Sequence, residues 1–330
     1  MQKVEISTKT IIFTVLLLLG LRFVWMIKDL ILSLYIAFII MSALKPPVIF
    51  LQKKRVPRFF AVVVVYLIFL GILLNLLLVI FPPLVQETAV MFRNLPGIVV
   101  RLSPTITQYV HVDSLTQYIP NLTVTILDFI RGVFSNLVFF ISTLFFGFYL
   151  LLDEDPIKEL LNQFLDERKR DVVVSVFRQT ERRMAGWFWG EIILMTVVGI
   201  MTYIGLTLIQ IRFVLPLAVM AGLLEIVPNL GPVLAAIPAI IIGLSASPFL
   251  GLVTLALYFL VQQLENQLIV PVVMRRAVGL HPIVILIALI VGGTVAGTLG
   301  ILLAIPIALF LETILVEIRK RKATVAEKLR

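Results

Sequence analysis

The sequence contains no cysteine, only two histidines, and charged residues at just 14% of its 330 positions. Without cysteine there is no disulfide, no thiol nucleophile and no thiolate metal site. His111 and His281 stand alone, and neither belongs to a His-Glu-x-x-His zinc motif. A Walker loop, a dinucleotide-binding glycine fingerprint and a nucleophile elbow are missing as well, so the residues point to no enzyme, no metal site and no bound cofactor. Transport driven by ATP hydrolysis within this chain is excluded on the same ground. A coupling ion, H+ or Na+, stays open.

What is abundant is hydrocarbon. Hydrophobic residues make up 60% of the chain, and the mean hydropathy is +1.09, which is too apolar for a soluble domain. The apolar runs are long and do not alternate with polar residues, so a β-barrel is excluded and an all-α polytopic membrane protein is expected. The partner implied first is the lipid bilayer. A net charge of +9 does not imply nucleic acid, because the basic residues sit in short clusters beside apolar runs, as cytoplasmic flanks do.

Residues 1–58 read as an N-terminal membrane hairpin followed by a basic loop. The runs Ile11 to Ile27 and Leu30 to Leu44 are separated only by Lys28-Asp29, and no small-residue cleavage site marks a signal peptide. Each run is short for a core of roughly 30 Å. One long tilted helix is the other arrangement open to them. Lys45, Lys53, Lys54, Arg55 and Arg58 then mark a cytoplasmic loop. Residues 59–152 hold two spans around an external amphipathic insert, 82–131.

Residues 153–187 read as a cytoplasmic or interfacial amphipathic segment. Val173, Phe177, Thr180, Met184 and Trp187 recur at helical spacing along one stripe, fit for the membrane interface or for contact between subunits. Residues 188–318 are the core region and 319–330 a basic cytoplasmic tail. Under this topology 22 of the 28 Lys and Arg fall on the side of both termini, which makes that side cytoplasmic.

Two stretches interrupt the hydrocarbon. The first runs from Glu225 through Pro228, Asn229, Gly231 and Pro232 to Pro238; the second runs from Gly292-Gly293 through Gly297 and Gly300 to Pro306. Proline removes a backbone donor and clashes with the preceding turn, so helices break at such places. Broken helices at membrane depth survive where they face protein or a wet cavity. Val233 to Leu244, 12 residues between breaks, is too short to cross. Gly231 to Pro238 and Gly300 to Pro306 echo each other, as an internal repeat or as two instances of small-residue packing.

Acids within the hydrocarbon cost about 2.5–3.5 kcal/mol at a helix centre on insertion scales and so need a reason. Glu225, three residues before Pro228, is the leading candidate to bind a cation, a proton or a polar group of a small solute. Gln262, Glu265 and Asn266 share a helix face, as the lining of a path or as glue between helices. Glu191, beside Trp189-Gly190, suits a pair with Arg182 or Arg183, and Glu312 suits a pair with Arg319. His281-Pro282 suits a cap at a helix start.

Taken together, Ile36-Ala-Phe, Leu44-Lys-Pro46, Glu225-Ile-Val-Pro-Asn-Leu-Gly-Pro232, Gln262-Gln-Leu-Glu-Asn266, His281-Pro282 and Gly292-Gly293 through Pro306 resemble the autoinducer-2 exporter family of PerM-type permeases. The likeness runs from about Leu30 to Ile318. Asn229 stands where the family often has an aromatic residue, and Gly190-Glu191 where it usually has Gly-Gln. The resemblance implies a bacterial inner-membrane secondary transporter of about eight membrane segments, some short and re-entrant or broken, forming homo-oligomers. It also implies export of a small polar metabolite or signal such as autoinducer-2, with sodium (lithium)/proton antiport as the alternative. A non-transporting membrane scaffold is the reading from another class.

Overall fold

Positions on the outside of the molecule are as apolar as those within. Phe13, Phe59, Val138, Leu208 and Phe249 are exposed while Val62, Leu217 and Leu309 are fully buried. Only a hydrocarbon solvent makes such an exterior tolerable. The computed structural model describes residues 8–75, 137–153, 165–228, 230–274 and 279–328, with isolated positions between 78 and 91 and at 158 and 161. Most of the insert 82–131, His111, Asn229 and Arg275-Arg276 fall outside the described residues. Within them every element is helical, as a bilayer requires of a chain that must satisfy its own backbone. Five helical stretches are long and apolar enough to cross a membrane, and five shorter apolar helices accompany them. The protein is an all-α polytopic membrane protein.

Helices α1 (Thr8–Met26) and α2 (Lys28–Lys53) correct the expected hairpin. The bonds Ile27 N–H to Phe23 O and Ile31 N–H to Ile27 O keep the helical ladder across the junction, so the chain bends there without reversing. No Gly or Pro lies there to break it, and all of residues 11–26 are exposed, whereas a hairpin would press them onto α2. Inside α2, Pro47 has no N–H for the carbonyl of Ala43; the indole Nε1 of Trp189 donates to that oxygen instead, at 2.9 Å.

Helices α3 (Arg58–Asn75) and α4 (Leu137–Leu152) pack beside α2. Arg58 donates to the carbonyls of Leu151, Leu152 and Asp153, which are left open at the end of α4. Ser33 and Thr143 hydrogen-bond across α2 and α4 at 2.8 Å. Thr143 also donates to Phe139 O, one turn back, so the hydroxyl is satisfied without water.

The long helix α5 (Glu167–Leu208) is 42 residues without a break, about 63 Å at 1.5 Å per residue. Residues 167–187 of the segment read as cytoplasmic or interfacial form its first half. The stripe Thr180, Met184, Trp187 is buried, and the rings of Phe177 and Phe38 lie 4.9 Å apart across α5 and α2. Burying that face against protein removes more apolar area from lipid headgroups and water than lying on the surface would.

After α5 the elements shorten. Helix α6 (Val214–Leu224) has 11 residues and α7 (Leu230–Ala246) has 17, so α6 cannot cross alone. The 12-residue segment expected at Val233 to Leu244 is longer because Pro232 sits in the first turn of α7, where no N–H is needed. Helix α8 (Pro248–Leu264) packs back along α7 from an N-cap at Ser247, whose Oγ accepts from Leu250 N–H. A π-turn (Glu265–Ile269) and a four-residue helix (Val270–Val273) extend α8. The wider turn lies just before Pro271, whose ring would clash with the carbonyl one α-turn back.

Helix α9 (Pro282–Lys328) folds on itself at Ala296 and Gly297, the latter at φ +58, a region that favours glycine. Its arms press backbone to backbone, and a Cβ on Gly300 would lie 1.8 Å from Gly292 O. His281 accepts from Ile283 N–H through Nδ1 at the start of α9. Two apolar clusters result: one joins α2, α3, α4, the first half of α5 and α9, and the other joins the second half of α5 with α6, α7 and α8.

Candidate functional site

The break between α6 and α7 is held by tight turns. Val227 N–H donates to Leu224 O at 3.0 Å and Gly231 N–H to Val227 O at 2.8 Å. Gly231 is packed so closely that a Cβ would lie 1.8 Å from Leu224 O, so only glycine allows this approach. The result places Glu225 at the end of α6, almost fully buried. The two echoing segments therefore share a local device: each opens on a glycine pressed against a carbonyl of the preceding helical segment.

Glu225 points into a cavity of about 470 Å³ at the seam between the two apolar clusters. The cavity collects residues from four parts of the chain: Trp187, Glu191 and Leu194 from α5, Glu225 and Pro228 from the break, Glu265, Asn266 and Met274 from the extension of α8, and Leu280, Ile285 and Ile305 around the arms of α9. Glu265 opens the π-turn and is buried; π-turns recur at functional sites because they redirect a side chain. Gln262 donates from Nε2 to Glu265 Oε2 at 3.0 Å, fixing that carboxyl from behind. Glu191, Glu225 and Glu265 line the same cavity closely enough for their charges to influence one another.

The polar accounting of the cavity is incomplete. Glu191 Oε1, Glu225 Oε2 and Trp187 Nε1 are buried without a hydrogen-bond partner among the described residues. Such groups are costly when unpaired, and most buried polar atoms have partners. The residues that carry these atoms line a space large enough for a small solute, within walls that are mostly apolar. Among the described residues no lysine or arginine lines it.

Of the residues expected at a site, Glu225, Pro228, Glu265 and Asn266 line this one cavity, and Gln262 supports it. Gly231 and Pro232 shape the break behind it, while Gly297 and Gly300 form the hairpin of α9 and do not line it. Asn229 is outside the described residues. The expected pair of Glu191 with Arg182 or Arg183 is corrected by the structure. Arg183 instead reaches Thr313 at 2.9 Å and pairs with Glu312, which in turn is not directed to Arg319. The signal for Glu191 is the α5 stripe itself: continued by three- and four-residue steps past Trp187, it reaches Glu191, Leu194 and Val198, all buried.

Comparison with known proteins agrees with this architecture. The model of the AI-2E family transporter matches residues 11–320. The chain is 28% identical over 303 residues to the putative transport protein YueF of Bacillus subtilis, covering 83% of this chain and 82% of that one. It is 25% identical over 329 residues to the putative permease PerM of Escherichia coli K12, covering 93% and 92%. The AI-2 transport protein TqsA of the same organism is 28% identical over 312 residues, covering 90% and 88%. With its helices, its broken elements and nearly its whole length accounted for, the chain belongs to the AI-2E transporter family.

Proposed function

We propose that this protein is a secondary transporter whose small polar solute occupies the cavity between Glu191, Glu225 and Glu265, with a proton as coupling ion. The observation that carries the reading is three acids lining one cavity, two of them with buried carboxyl oxygens that have no partner among the described residues. Glu225 and Glu265, two buried acids lining one cavity, are where this proposal has a proton taken up or given away as a solute enters. The broken elements at Pro228 to Pro238 and at Gly292 to Pro306 flank this cavity, and alternating access follows from movement of such elements against the remaining spans.

Export of autoinducer-2 is the solute and direction this proposal adopts, supported by the family and by the printed name of one relative. Sodium or lithium antiport finds less support: among the described residues no three acids converge closely enough to hold a metal ion. The basic clusters at Lys53 to Arg58, at the start of α5 and towards the C-terminal end of α9 support a cytoplasmic position for those ends in a bacterial inner membrane. Because α1 continues into α2 without reversing, this proposal keeps only the C-terminus of the two expected cytoplasmic termini on that side. Assembly into homo-oligomers belongs to the same reading.

The test uses purified protein in liposomes loaded with autoinducer-2, with efflux followed under an imposed pH gradient. Efflux that rises with the gradient and is lost in Glu225→Gln supports the proposal. Efflux indifferent to the gradient removes the proton from it. If Glu225→Gln changes only thermal stability and no solute moves, the scaffold reading replaces transport.

A further inference from the structure

A second cavity, sharing none of its lining residues with the acid-lined one, is a groove of about 860 Å³ between α2 and α5. One wall is the face of α2 carrying Ser42, Lys45, Ile49, Phe50 and Lys53; the other is the face of α5 carrying Arg178, Arg182, Ala185 and Trp189. The spacing on α5 is three and four residues throughout, so these side chains form one stripe. Small residues, Ala185 and Gly186, leave the space between the two helices open at its centre.

The chemistry of the groove is graded. Lys53, Arg178 and Arg182 are exposed at it, and Arg58 adds a fourth cation. The one acid of the lining, Glu181, is already paired with Lys45 at 2.7 Å. At the other extreme Ile49, Phe50 and Trp189 expose apolar surface, with the Trp189 ring held by its bond to Ala43 O. Deep in the wall Ser42 is fully buried, yet its Oγ has no partner among the described residues. Pro46, one turn further on, also has no N–H to offer the Ser42 carbonyl.

We infer that this groove binds the headgroup of an anionic phospholipid. The phosphate sits among Lys53, Arg178 and Arg182, the Ser42 hydroxyl donates to an ester or glycerol oxygen, and the acyl chains lie along Ile49, Phe50 and Trp189. Basic pockets between membrane helices recognise anionic headgroups in this way, and arginine pairs especially well with phosphate. A phosphate balances the net positive charge of the lining, and an oxygen below it gives the buried Ser42 hydroxyl a partner.

Native mass spectrometry of the full-length protein, released from nanodiscs of mixed phosphatidylglycerol and phosphatidylcholine, tests the inference. Wild type is expected to retain phosphatidylglycerol in preference to phosphatidylcholine. The double variant Arg178→Gln/Arg182→Gln is expected to lose about 30-fold in that retention, given the contribution of each basic residue near a charged membrane surface. Ala185→Leu, which fills the groove and alters no charge, is expected to lose it too, and only the monodisperse fraction of each variant is compared. Equal retention of both lipids, or undiminished phosphatidylglycerol in both variants, overturns the inference. Displacement of the lipid by inorganic phosphate at equal concentration overturns it as well, since the site would then be one for free anions.

Discussion

At the scale of single residues, some shielded charges are matched by an ion-pair partner. Lys45 meets Glu181 at 2.7 Å with both side chains largely shielded, and removing one partner leaves the other stranded. Lys45→Met is expected to destabilise the protein by about 2 kcal/mol, the range for lost hydrogen bonds to charged groups. Adding Glu181→Met should restore most of it, which thermal melts of the single and double variants in detergent would check. Against that background the unmatched carboxyls of Glu191 and Glu225 stand out. Glu225 was legible in the sequence, because an acid just before Pro228 sits deep in a hydrocarbon run with no basic residue nearby to pair with it. Glu191 was not, because arginines upstream offered it a partner and only the turn of α5 decides which of them it can reach.

At the scale of elements, glycine decides where chains approach. Gly300→Ala puts a methyl 1.8 Å from the carbonyl oxygen of Gly292, so backbone must move to admit it. A loss of about 1–3 kcal/mol is expected, as for other overpacked interiors. Gly20→Ala is the control, since nothing lies within 4 Å of it and helix propensity alone would act. A fall in melting temperature confined to Gly300→Ala is the expected result. The turn in α9 could be read from sequence because four glycines and two threonines interrupt an apolar run. The course of α1 into α2 could not, since Lys28-Asp29 looks like a loop by charge alone while a helix carries charged residues without difficulty. The extent of α7 escaped as well, because prolines that end a helix in its interior are welcome in its first turn.

At the scale of the molecule, the two apolar clusters meet around the acid-lined cavity, and α1 belongs to neither. Deleting residues 1–26 is therefore expected to shift the melting temperature of the monodisperse protein by less than about 4 °C, the displacement that 1 kcal/mol gives at most in a chain of this size. A larger shift would mean that α1 is packed against something beyond its own chain. Class and family were legible throughout, since hydropathy and the order of Gly, Pro and acid motifs run the whole length. How four separate segments converge on one cavity was not, because no local pattern records which helix lies against which.

Helix α5 runs for 42 residues without a break. It carries Arg182 of the basic groove and Glu191 of the acid-lined cavity nine residues apart, about 13 Å at the helical rise. Such a rod is a lever. Arg182 and Glu191 lie on either side of its midpoint, about 8 Å and about 5 Å from it at the helical rise, so any tilt about that point moves the two charges in opposite directions, and neither is repositioned without the other.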